Sequence, residues 1–510
     1  MVGRMFVNAL QMLVVPLVFF SLICGVAGIG DIRILGRVGG KSFGLYMATT
    51  GTAIAVAILI ALLVSPGDGS VVLERPAASE REIRRAVQAA RTAQTRWADL
   101  PLEERLEYLS KFTDALVAKK DEIAPELSRM MGRPISQAPG ELRGFEERAR
   151  KMIELAPQAL SSITVDEYRR VDRLPHGLVF VVAAWNYPYL IAVNSVVPAL
   201  AAGNAVILKH SSQTIRCAER FAEAFEEAGL PEGVFQVLHL THQSTEEMIS
   251  KGLCDVVSFT GSVDGGKALH KAAGGTFTPM GLELGGKDPA YVRSDANLEF
   301  SAENLADGAF FNSGQSCCGI ERIYVHESVF DEFVDLMIMQ ARNLKLGDPL
   351  DPQTTMGPLV RERAADFVRK QMKGAENKGA QALLKKGLGE GAYLPAEIFI
   401  DVHHGMKLMT EETFGPVVGV MSVSSDEEAV LLMNDSRYGL TASIWTQDLH
   451  RADRLGRQIQ TGTVFANRCD YLDPSLAWTG VKDSGRGCTL SLIGYEQLTR
   501  PKSFHLRKAP

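Results

Sequence analysis

The sequence lacks a dense block of basic residues, an internal repeat and a low-complexity tract. Lys and Arg number 54 against 60 Asp and Glu, a net charge of −6, so no surface is predicted to bind nucleic acid. Seven cysteines are an odd number at irregular spacings, which argues against a disulfide framework and indicates reduced thiols. With 510 residues, 46% of them hydrophobic and 22% charged, the chain is typical of a globular protein of roughly three domains.

The N-terminus differs from these averages because it holds two long uncharged runs. Residues 6–29 and 43–64 contain no charged side chain, and each is long enough to cross a bilayer core, which takes ~20 apolar residues. A short basic segment at 30–42 lies between them. The pattern predicts a transmembrane helical hairpin over residues 1–66, with a buried hairpin in a soluble domain as the alternative. A cleaved signal peptide fits poorly, because the first run is too long.

The remainder of the chain alternates short apolar runs with amphipathic helical stretches. Such runs, bounded by Gly, Pro or Ser, are typical of strands buried on both faces, and they lie at 177–184, 205–209, 234–238 and 256–259. A second series of strands and helices begins at Asp288. Strands that alternate with helices predict two α/β lobes with parallel sheets. The Ala-, Glu- and Arg-rich stretch at 79–131 is interpreted as surface helices.

Three residues are candidates for chemistry, and each has a structural alternative. The thiolate of a cysteine in the pair Cys317-Cys318 could be a nucleophile, although most cysteines are small buried hydrophobic residues. Glu283, between leucines and glycines, could be a general base with a raised pKa, or a cap or ion-pair partner. Asn186 follows a predicted strand, where its amide could stabilise an oxyanion or begin a turn before proline.

A turn from strand to helix at residues 259–262, Phe-Thr-Gly-Ser, could bind a diphosphate. The free N–H groups at such a helix start suit an anion. Its glycines do not form the GxGxxG fingerprint, so the segment alone is a weak signal.

Five motifs in fixed order together make a strong signal: WNYP, FTGS, ELGGK, GQSCC and EETFGP. The stretch 65–510 that contains them resembles the NAD(P)-dependent aldehyde dehydrogenase superfamily. The resemblance implies an α/β fold with a Rossmann-type cofactor lobe, an α/β catalytic lobe and a small β bridging domain. The boundaries it implies are 67–160 and 177–284 for the cofactor lobe, 285–487 for the catalytic lobe, and 161–176 with 488–510 for the bridging strands.

The resemblance also assigns catalytic roles for the oxidation of an aldehyde to a carboxylic acid. Cys317, two places after Gln315, matches the family nucleophile and would form a thiohemiacetal and then a thioester. The Asn186 amide and the Cys317 backbone N–H would hold the oxyanion, and Glu283 would activate the hydrolytic water. No metal site is predicted.

The cofactor implied by the resemblance is NAD or NADP. Lys209 matches the ligand of the adenosine ribose, and Glu412 matches the ligand of the nicotinamide ribose. Ser212 stands where many NAD-preferring members have Glu, so a 2′-phosphate is not repelled and NADP is expected to be accepted. The other cofactor-binding residues implied are Trp185, Gly261, Ser262 and Phe414.

The substrate is predicted only as a medium-sized hydrophobic or aromatic aldehyde. The pocket candidates Tyr187, Phe310 and Trp478 are aromatic, and no arginine is evidently placed for a second carboxylate. Near the C-terminus, Thr489 replaces a glutamate that the family commonly has. Strands near 164–172 and 503–507 are expected to bridge subunits in a homodimer or homotetramer.

Residues 12–42 resemble membrane helices of the dicarboxylate/amino-acid:cation symporters, but the rest of that fold does not follow. Transport is therefore not expected from residues 1–66. A cytoplasmic catalytic domain anchored to the membrane by this hairpin conflicts with the basic loop, which itself favours the cytoplasm. The alternative function is a membrane-anchored interaction or transport-associated fusion protein with a vestigial enzyme domain.

Overall fold

The structure is a computed structural model that describes Lys41 and residues 60–67 and 69–509. None of the helices in these ranges has the length and hydropathy that a bilayer crossing requires. In chain order, the α-helices of the described residues are α1 (Glu80–Asp99), α2 (Leu102–Ala118), α3 (Lys120–Met131), α4 (Ala138–Ala159), α5 (Pro188–Ala201), α6 (Ile215–Glu227), α7 (His242–Ser250), α8 (Val263–Ala272), α9 (Leu298–Phe310), α10 (Phe330–Arg342), α11 (Glu362–Glu376), α12 (Lys407–Thr410), α13 (Asp426–Asn434) and α14 (Leu449–Gly456). The strands are β1 (Ile60–Val64), β2 (Val71–Pro76), β3 (Ile163–Thr164), β4 (Arg169–Pro175), β5 (Leu178–Ala183), β6 (Ala205–His210), β7 (Phe235–Val237), β8 (Val256–Thr260), β9 (Met280–Glu283), β10 (Asp288–Val292), β11 (Ile320–His326), β12 (Gln381–Ala382), β13 (Glu397–Ile400), β14 (Val417–Val423), β15 (Thr441–Trp445), β16 (Thr463–Ala466), β17 (Gly485–Arg486) and β18 (Thr499–His505).

The predicted membrane hairpin lies outside the described residues, apart from Lys41 and the end of its second run. There the prediction of a helix is wrong, because Ile60–Val64 is a strand and forms a two-stranded sheet with β2. The first run at residues 6–29 is not described.

A six-stranded sheet has the order β17-β9-β8-β5-β6-β7. Its strands pair in parallel except β17, which runs antiparallel to β9. The central strand β5 is apolar throughout because it is buried on both faces. Val179 and Val181 belong to the core on one side, whereas Phe180 and Val182 belong to the core on the other. The predicted α/β architecture with a parallel sheet is therefore confirmed for this lobe.

The second lobe contains a seven-stranded sheet of order β12-β13-β14-β11-β10-β15-β16. All of its neighbours are parallel except the edge pair β12 and β13. Alternate residues again point to two cores, as Tyr291 and Val292 in β10 show. The chain passes between the two lobes at residues 284–287, directly after the last parallel strand of the first sheet.

A three-stranded antiparallel sheet joins β18, β4 and β3. The prediction of a single edge strand over 164–172 is wrong, because a turn divides this segment into a hairpin. Asp166 makes the turn by accepting hydrogen bonds from the Tyr168 backbone N–H at 3.0 Å and from Arg169 Nε at 2.8 Å. The bridging of subunits through this sheet stays a prediction.

The sequence predicted helices α1 to α3 as surface helices, but each of them also has a buried face. Their apolar faces are buried against the first lobe, where Trp97 is 1% exposed and donates from Nε1 to the Leu200 carbonyl at 2.9 Å. Phe112 in α2 stacks on Phe225 of α6 with ring centroids 3.7 Å apart. Most charged residues of these helices lie on the opposite, exposed face, and this charged face is what the sequence pattern predicted.

Candidate active site

A cavity of about 1090 Å³ lies where β5, β8 and β9 end and the chain enters the second lobe. Carboxyl ends of parallel strands are where α/β proteins bind ligands. Of the residues singled out from the sequence, those that line the cavity are Trp185, Asn186, Gly261, Ser262, Glu283, Cys317, Glu412 and Phe414. Lys209 and Ser212 lie outside this lining, at the end of β6 and just beyond it.

The predicted aromatic residues are placed only in part as expected. Tyr187 and Trp478 line the cavity, but Phe310 does not, since it is buried in the core of the second lobe. Its neighbour Phe311 takes the place on the cavity wall, because the helix α9 ends between the two residues. The sequence showed no arginine evidently placed for a second carboxylate, whereas the structure places Arg148 in the lining.

Cys317 is presented by an unusual turn between α9 and β11. Asn312, Ser313 and Gly314 have φ angles of 51°, 57° and 71°, three consecutive left-handed residues. Gly314 has no room for a side chain, since a Cβ there would collide with the Gly415 carbonyl oxygen. Such strain persists where the surrounding structure holds it, and it is common at functional sites. The turn leaves Cys317 half-buried on the cavity wall.

The neighbouring Cys318 is in a different environment. Its Sγ donates to Asp470 Oδ1 at 3.0 Å, and its side chain is buried. Hydrogen bonding with Cys317, together with burial and the charge of Asp470, raises the pKa of Cys318 well above its usual value. Because the thiolate is the reactive form, Cys318 is poorly suited to be a nucleophile.

Two N–H donors lie beside Cys317. The buried Asn186 amide donates from Nδ2 to the Gln315 carbonyl at 3.2 Å, across the turn that precedes the cysteine. The Cys317 backbone N–H has no hydrogen-bond acceptor among the described residues. A side-chain amide and a backbone N–H on the wall of one cavity are the elements of an oxyanion hole.

A buried ion pair between Arg133 and Glu141 supports Asn186, and sequence reasoning missed it. Arg133 Nη2 donates to the Asn186 carbonyl at 2.6 Å, while Glu141 Oε1 accepts the backbone N–H groups of Tyr189 and Leu190 at 2.9 and 3.1 Å. Arg133 thus holds the backbone of Asn186, and Glu141 holds the first turn of α5. Nothing in the local sequence around either residue signals this contact.

Replacing Arg133 with methionine is expected to destabilise the protein strongly, because Glu141 would be left as an unpaired buried charge. The loss expected for breaking such a pair is about 3–5 kcal/mol, measured as the free energy of unfolding in urea. The matched control is Arg84→Met, which breaks an exposed pair with Glu80 and should have a far smaller effect. Equal effects of the two substitutions would contradict the role given to the buried pair.

Glu283 ends β9 between two threonine hydroxyls. Thr260 Oγ1 donates to Glu283 Oε2 at 2.8 Å, and Thr489 Oγ1 donates to Oε1. Burial raises the pKa of Glu283, while the hydrogen bonds from Thr489 and Thr260 oppose that rise. The carboxyl group therefore has the raised pKa of a general base at the cavity wall.

Glu412 and Phe414 lie on a loop that a second buried ion pair fixes. Lys287 Nζ contacts Glu321 Oε2 at 2.6 Å, and Glu321 accepts the backbone N–H of Phe414 at 2.8 Å. The ring of Phe414 meets the ring of Trp185 edge to face with centroids 5.7 Å apart. The Lys287–Glu321 pair was missed from the sequence.

Burial, followed by the charge of Glu321, raises the pKa of Glu412 to about 8. Its Oε1 accepts a hydrogen bond from the Gly286 backbone N–H at 3.3 Å. Lys209 has no ion-pair partner in the described part of the chain, and burial lowers its pKa to about 8. Ser262 caps α8 by accepting the Gly265 N–H at 3.1 Å.

Comparison with known families gives two matches. The model of the aldehyde dehydrogenase family matches residues 61–504, and that of the sodium:dicarboxylate symporter family matches residues 1–100. The matches overlap at 61–100. In this overlap, α1 packs against the first lobe through Trp97.

Individual relatives cover most of the chain. It is 35% identical over 437 residues to an aldehyde dehydrogenase of Paenarthrobacter nicotinovorans, covering 84% of this chain and 94% of that one. It is 32% identical over 447 residues to a succinate semialdehyde dehydrogenase (NAD(P)+) of Escherichia coli, covering 86% and 96%. A solved structure, an NAD-dependent aldehyde dehydrogenase from Sinorhizobium meliloti, superimposes with a TM-score of 0.85 at 33% identity, covering 88% and 92%.

Proposed function

Since the chain belongs to the aldehyde dehydrogenase family, we propose that it oxidises an aldehyde to the carboxylic acid through a covalent intermediate on Cys317. The observation that carries this proposal is the convergence of Cys317, Asn186 and Glu283 on one cavity. Acyl transfer at a carbonyl needs a nucleophile, a hydrogen-bond donor to the oxyanion and a general base. A vestigial enzyme domain has no support in the described residues, because all three groups are present together.

In the first half-reaction, the Cys317 thiolate attacks the aldehyde carbon and the carbonyl oxygen becomes an alkoxide. The Asn186 Nδ2–H and the Cys317 backbone N–H donate to that oxygen and stabilise its charge. Arg133 holds the Asn186 carbonyl, so the amide is positioned before the substrate binds. When bound, NAD or NADP accepts the hydride from this carbon, and the product on Cys317 is a thioester.

In the second half-reaction, Glu283 takes a proton from water as the water attacks the thioester. Cys317 leaves as the thiolate, and the acid is released. Burial keeps the pKa of Glu283 above its usual range, which makes it a stronger base than an exposed carboxylate. The two threonine hydroxyls keep the carboxylate in place while one lone pair on each oxygen stays free for the proton.

The residues of the cofactor side fit a dinucleotide. Glu412 is a half-buried carboxylate whose oxygens could accept both hydroxyls of the nicotinamide ribose, and Lys209 is a buried amine that could donate to the adenosine ribose. Gly261 and Ser262 lie at the start of α8, where N–H groups suit a diphosphate. Trp185 and Phe414 provide an aromatic wall for the nicotinamide.

Cofactor affinity is expected to increase with pH, because only the ionised form of Glu412 accepts both ribose hydroxyls. With the pKa of free Glu412 at about 8, its contribution to the affinity is full above that pH and is lost below it. Between pH 9 and pH 6 this contribution alone should raise the dissociation constant by roughly a hundredfold. Isothermal titration calorimetry with NAD and with NADP measures it directly.

The control is Glu412→Gln, which should bind more weakly at high pH and lose this increase. Lys209 affects the cofactor affinity in the opposite direction. Its protonated amine is the better hydrogen-bond donor, and above about pH 8 the amine loses its proton. Its effect should therefore emerge alone in the Glu412→Gln protein. An unchanged pH dependence in that variant would remove Glu412 from the cofactor site.

The proposed reaction is tested by the formation of NADH or NADPH from a panel of aldehydes with the two cofactors in parallel. The expected result is cofactor reduction together with the release of an equal amount of carboxylic acid. Because Ser212 carries no charge that would repel a 2′-phosphate, NADP should support turnover as well as NAD. Cofactor binding without oxidation of any aldehyde in the panel would contradict the proposal.

A further inference from the structure

Arg148 is a buried cation on the cavity wall that has no acidic partner. It lies on α4, is 8% exposed, and lines the same cavity as Cys317. Its Nη1 donates to the Leu190 carbonyl at 2.9 Å and to Asn194 Oδ1 at 3.2 Å. No carboxylate of the described residues lies within ion-pair distance of it, and its Nε and Nη2, which are not sealed from solvent, have no hydrogen-bond acceptor there.

The other cations of the lining are either paired or exposed. Arg133 forms its ion pair with Glu141, and Asp470 Oδ1 accepts hydrogen bonds from Ser316 Oγ at 2.7 Å and from Cys318. The remaining cations of the lining are all exposed at its rim: Arg143, Arg361, Arg363, Lys370 and Arg437. Arg148 is thus the buried cation of this lining that lacks a counter-charge.

An unpaired buried guanidinium is costly unless a ligand supplies the missing charge. Burial lowers the pKa of Arg148, and the charges of Glu141, Cys318, Glu283 and Cys317 oppose this change. Its contacts with Leu190 and Asn194 fix the guanidinium against α5, the helix that begins just after Asn186. A fixed guanidinium with free N–H groups is suited to bind a carboxylate by two parallel hydrogen bonds.

We propose that Arg148 binds the carboxylate of a short aldehyde that carries a carboxylate at its other end, while Cys317 attacks the formyl carbon. This inference rests on the proposed function and specifies its substrate class. It replaces the expectation of a hydrophobic or aromatic aldehyde, because an apolar substrate would leave Arg148 buried without a counter-charge. The aromatic rings of Tyr187 and Trp478 would then contact the carbon chain between the two ends.

A cationic aldehyde is the competing substrate class, since Asp470 also lines the cavity. Asp470 is less available than Arg148, because Ser316 and Cys318 already donate to it and burial raises its pKa. A cation would also bring its charge into the cavity that holds the unpaired Arg148. The geometry therefore favours an anionic substrate.

The wild-type protein can be tested with three aldehydes of the same four-carbon chain: succinic semialdehyde, butanal and 4-(trimethylammonio)butanal. The value of kcat/KM should be roughly a hundredfold higher for succinic semialdehyde than for butanal. Succinate should inhibit butanal oxidation competitively and more strongly than butyrate does. Equal values for the anionic and neutral aldehydes, or a preference for the cationic one, would overturn the inference.

The variant Arg148→Gln tests the residue itself. It should lower kcat/KM for succinic semialdehyde by about a hundredfold, mainly through KM, and change that for butanal by less than about threefold. Butanal oxidation in the same preparation shows that the variant is folded. The matched control is Arg150→Gln, which removes the same charge on the same helix outside the cavity and should leave both values unchanged.

If Arg148→Gln fails to fold, Arg148→Lys retains the charge, and it should keep part of the preference for succinic semialdehyde. If Arg148→Gln lowers kcat/KM equally for the anionic and neutral aldehydes, Arg148 has only a structural role. Failure of the proposed function is a different result, namely that no aldehyde in the set is oxidised with either cofactor. Oxidation of butanal without any preference for the anionic aldehyde overturns the Arg148 inference alone.

Discussion

Cys317→Ala is expected to lower kcat by on the order of 10⁴-fold or more, whichever aldehyde is used. Without the sulfur, the carbonyl carbon cannot become tetrahedral on the enzyme, and an aldehyde itself is a poor hydride donor. The substitution removes one small side chain that is half-buried on the cavity wall, so the fold and the cofactor contacts should be unaffected. Calorimetric affinities for NAD and NADP should therefore match those of the wild type.

Cys318→Ala is the matched control because the two cysteines are adjacent. Cys318 donates to Asp470 from a buried position and is not expected to form the covalent bond. Its replacement should leave kcat within about tenfold of the wild type, since it removes only weak hydrogen bonds of the thiol. If instead Cys317→Ala stays active and Cys318→Ala does not, the nucleophile has been assigned to the wrong residue.

Glu283→Gln is expected to separate the two half-reactions. The amide has the size of the carboxyl group but cannot accept a proton, so thioester hydrolysis should slow by about 10²–10⁴-fold. Formation of the thioester does not need this base. Rapid mixing should therefore show a burst of about one equivalent of NAD(P)H per subunit, followed by slow turnover.

The pH profile gives an independent test of Glu283. Its ionised form is the base, so the steady-state rate of the wild type should fall as the pH drops through a pKa above the usual glutamate value. Thr489→Val keeps the volume and removes a hydrogen bond that lowers this pKa, so the acidic limb should move to higher pH. Loss of the burst in Glu283→Gln, or a Thr489→Val profile that moves to lower pH, would contradict the role given to Glu283.

The parts of the fold that the sequence predicts are those that local patterns determine. The run Leu178–Ala183 is apolar because both of its faces are buried, and this can be recognised without knowing its neighbours. The three-stranded sheet was less predictable. The segment 164–172 has the alternation of one strand, but side-chain hydrogen bonds of Asp166 turn the chain within it.

The catalytic candidates were found because each stands in a distinctive motif, whereas the residues that position them do not. Arg133 reaches Asn186 across 53 positions, and Lys287 reaches Glu321 across 34. Such contacts depend on how distant segments pack, which local pattern does not contain. Arg148 was missed for a related reason: within Glu-Arg-Ala-Arg-Lys it has the charge pattern of a solvated helix face, yet it faces the cavity.

The central claim is that the substrate is held as a thioester on Cys317, and mass spectrometry of the Glu283→Gln protein tests it most directly. The protein is mixed with an aldehyde and NAD or NADP, quenched in acid and digested. The account predicts one added acyl group, equal to the aldehyde less two hydrogen atoms, on the peptide that contains Cys317 and on that sulfur. An acyl group on Cys318, or cofactor reduction with an unmodified Cys317 throughout the burst, would contradict it.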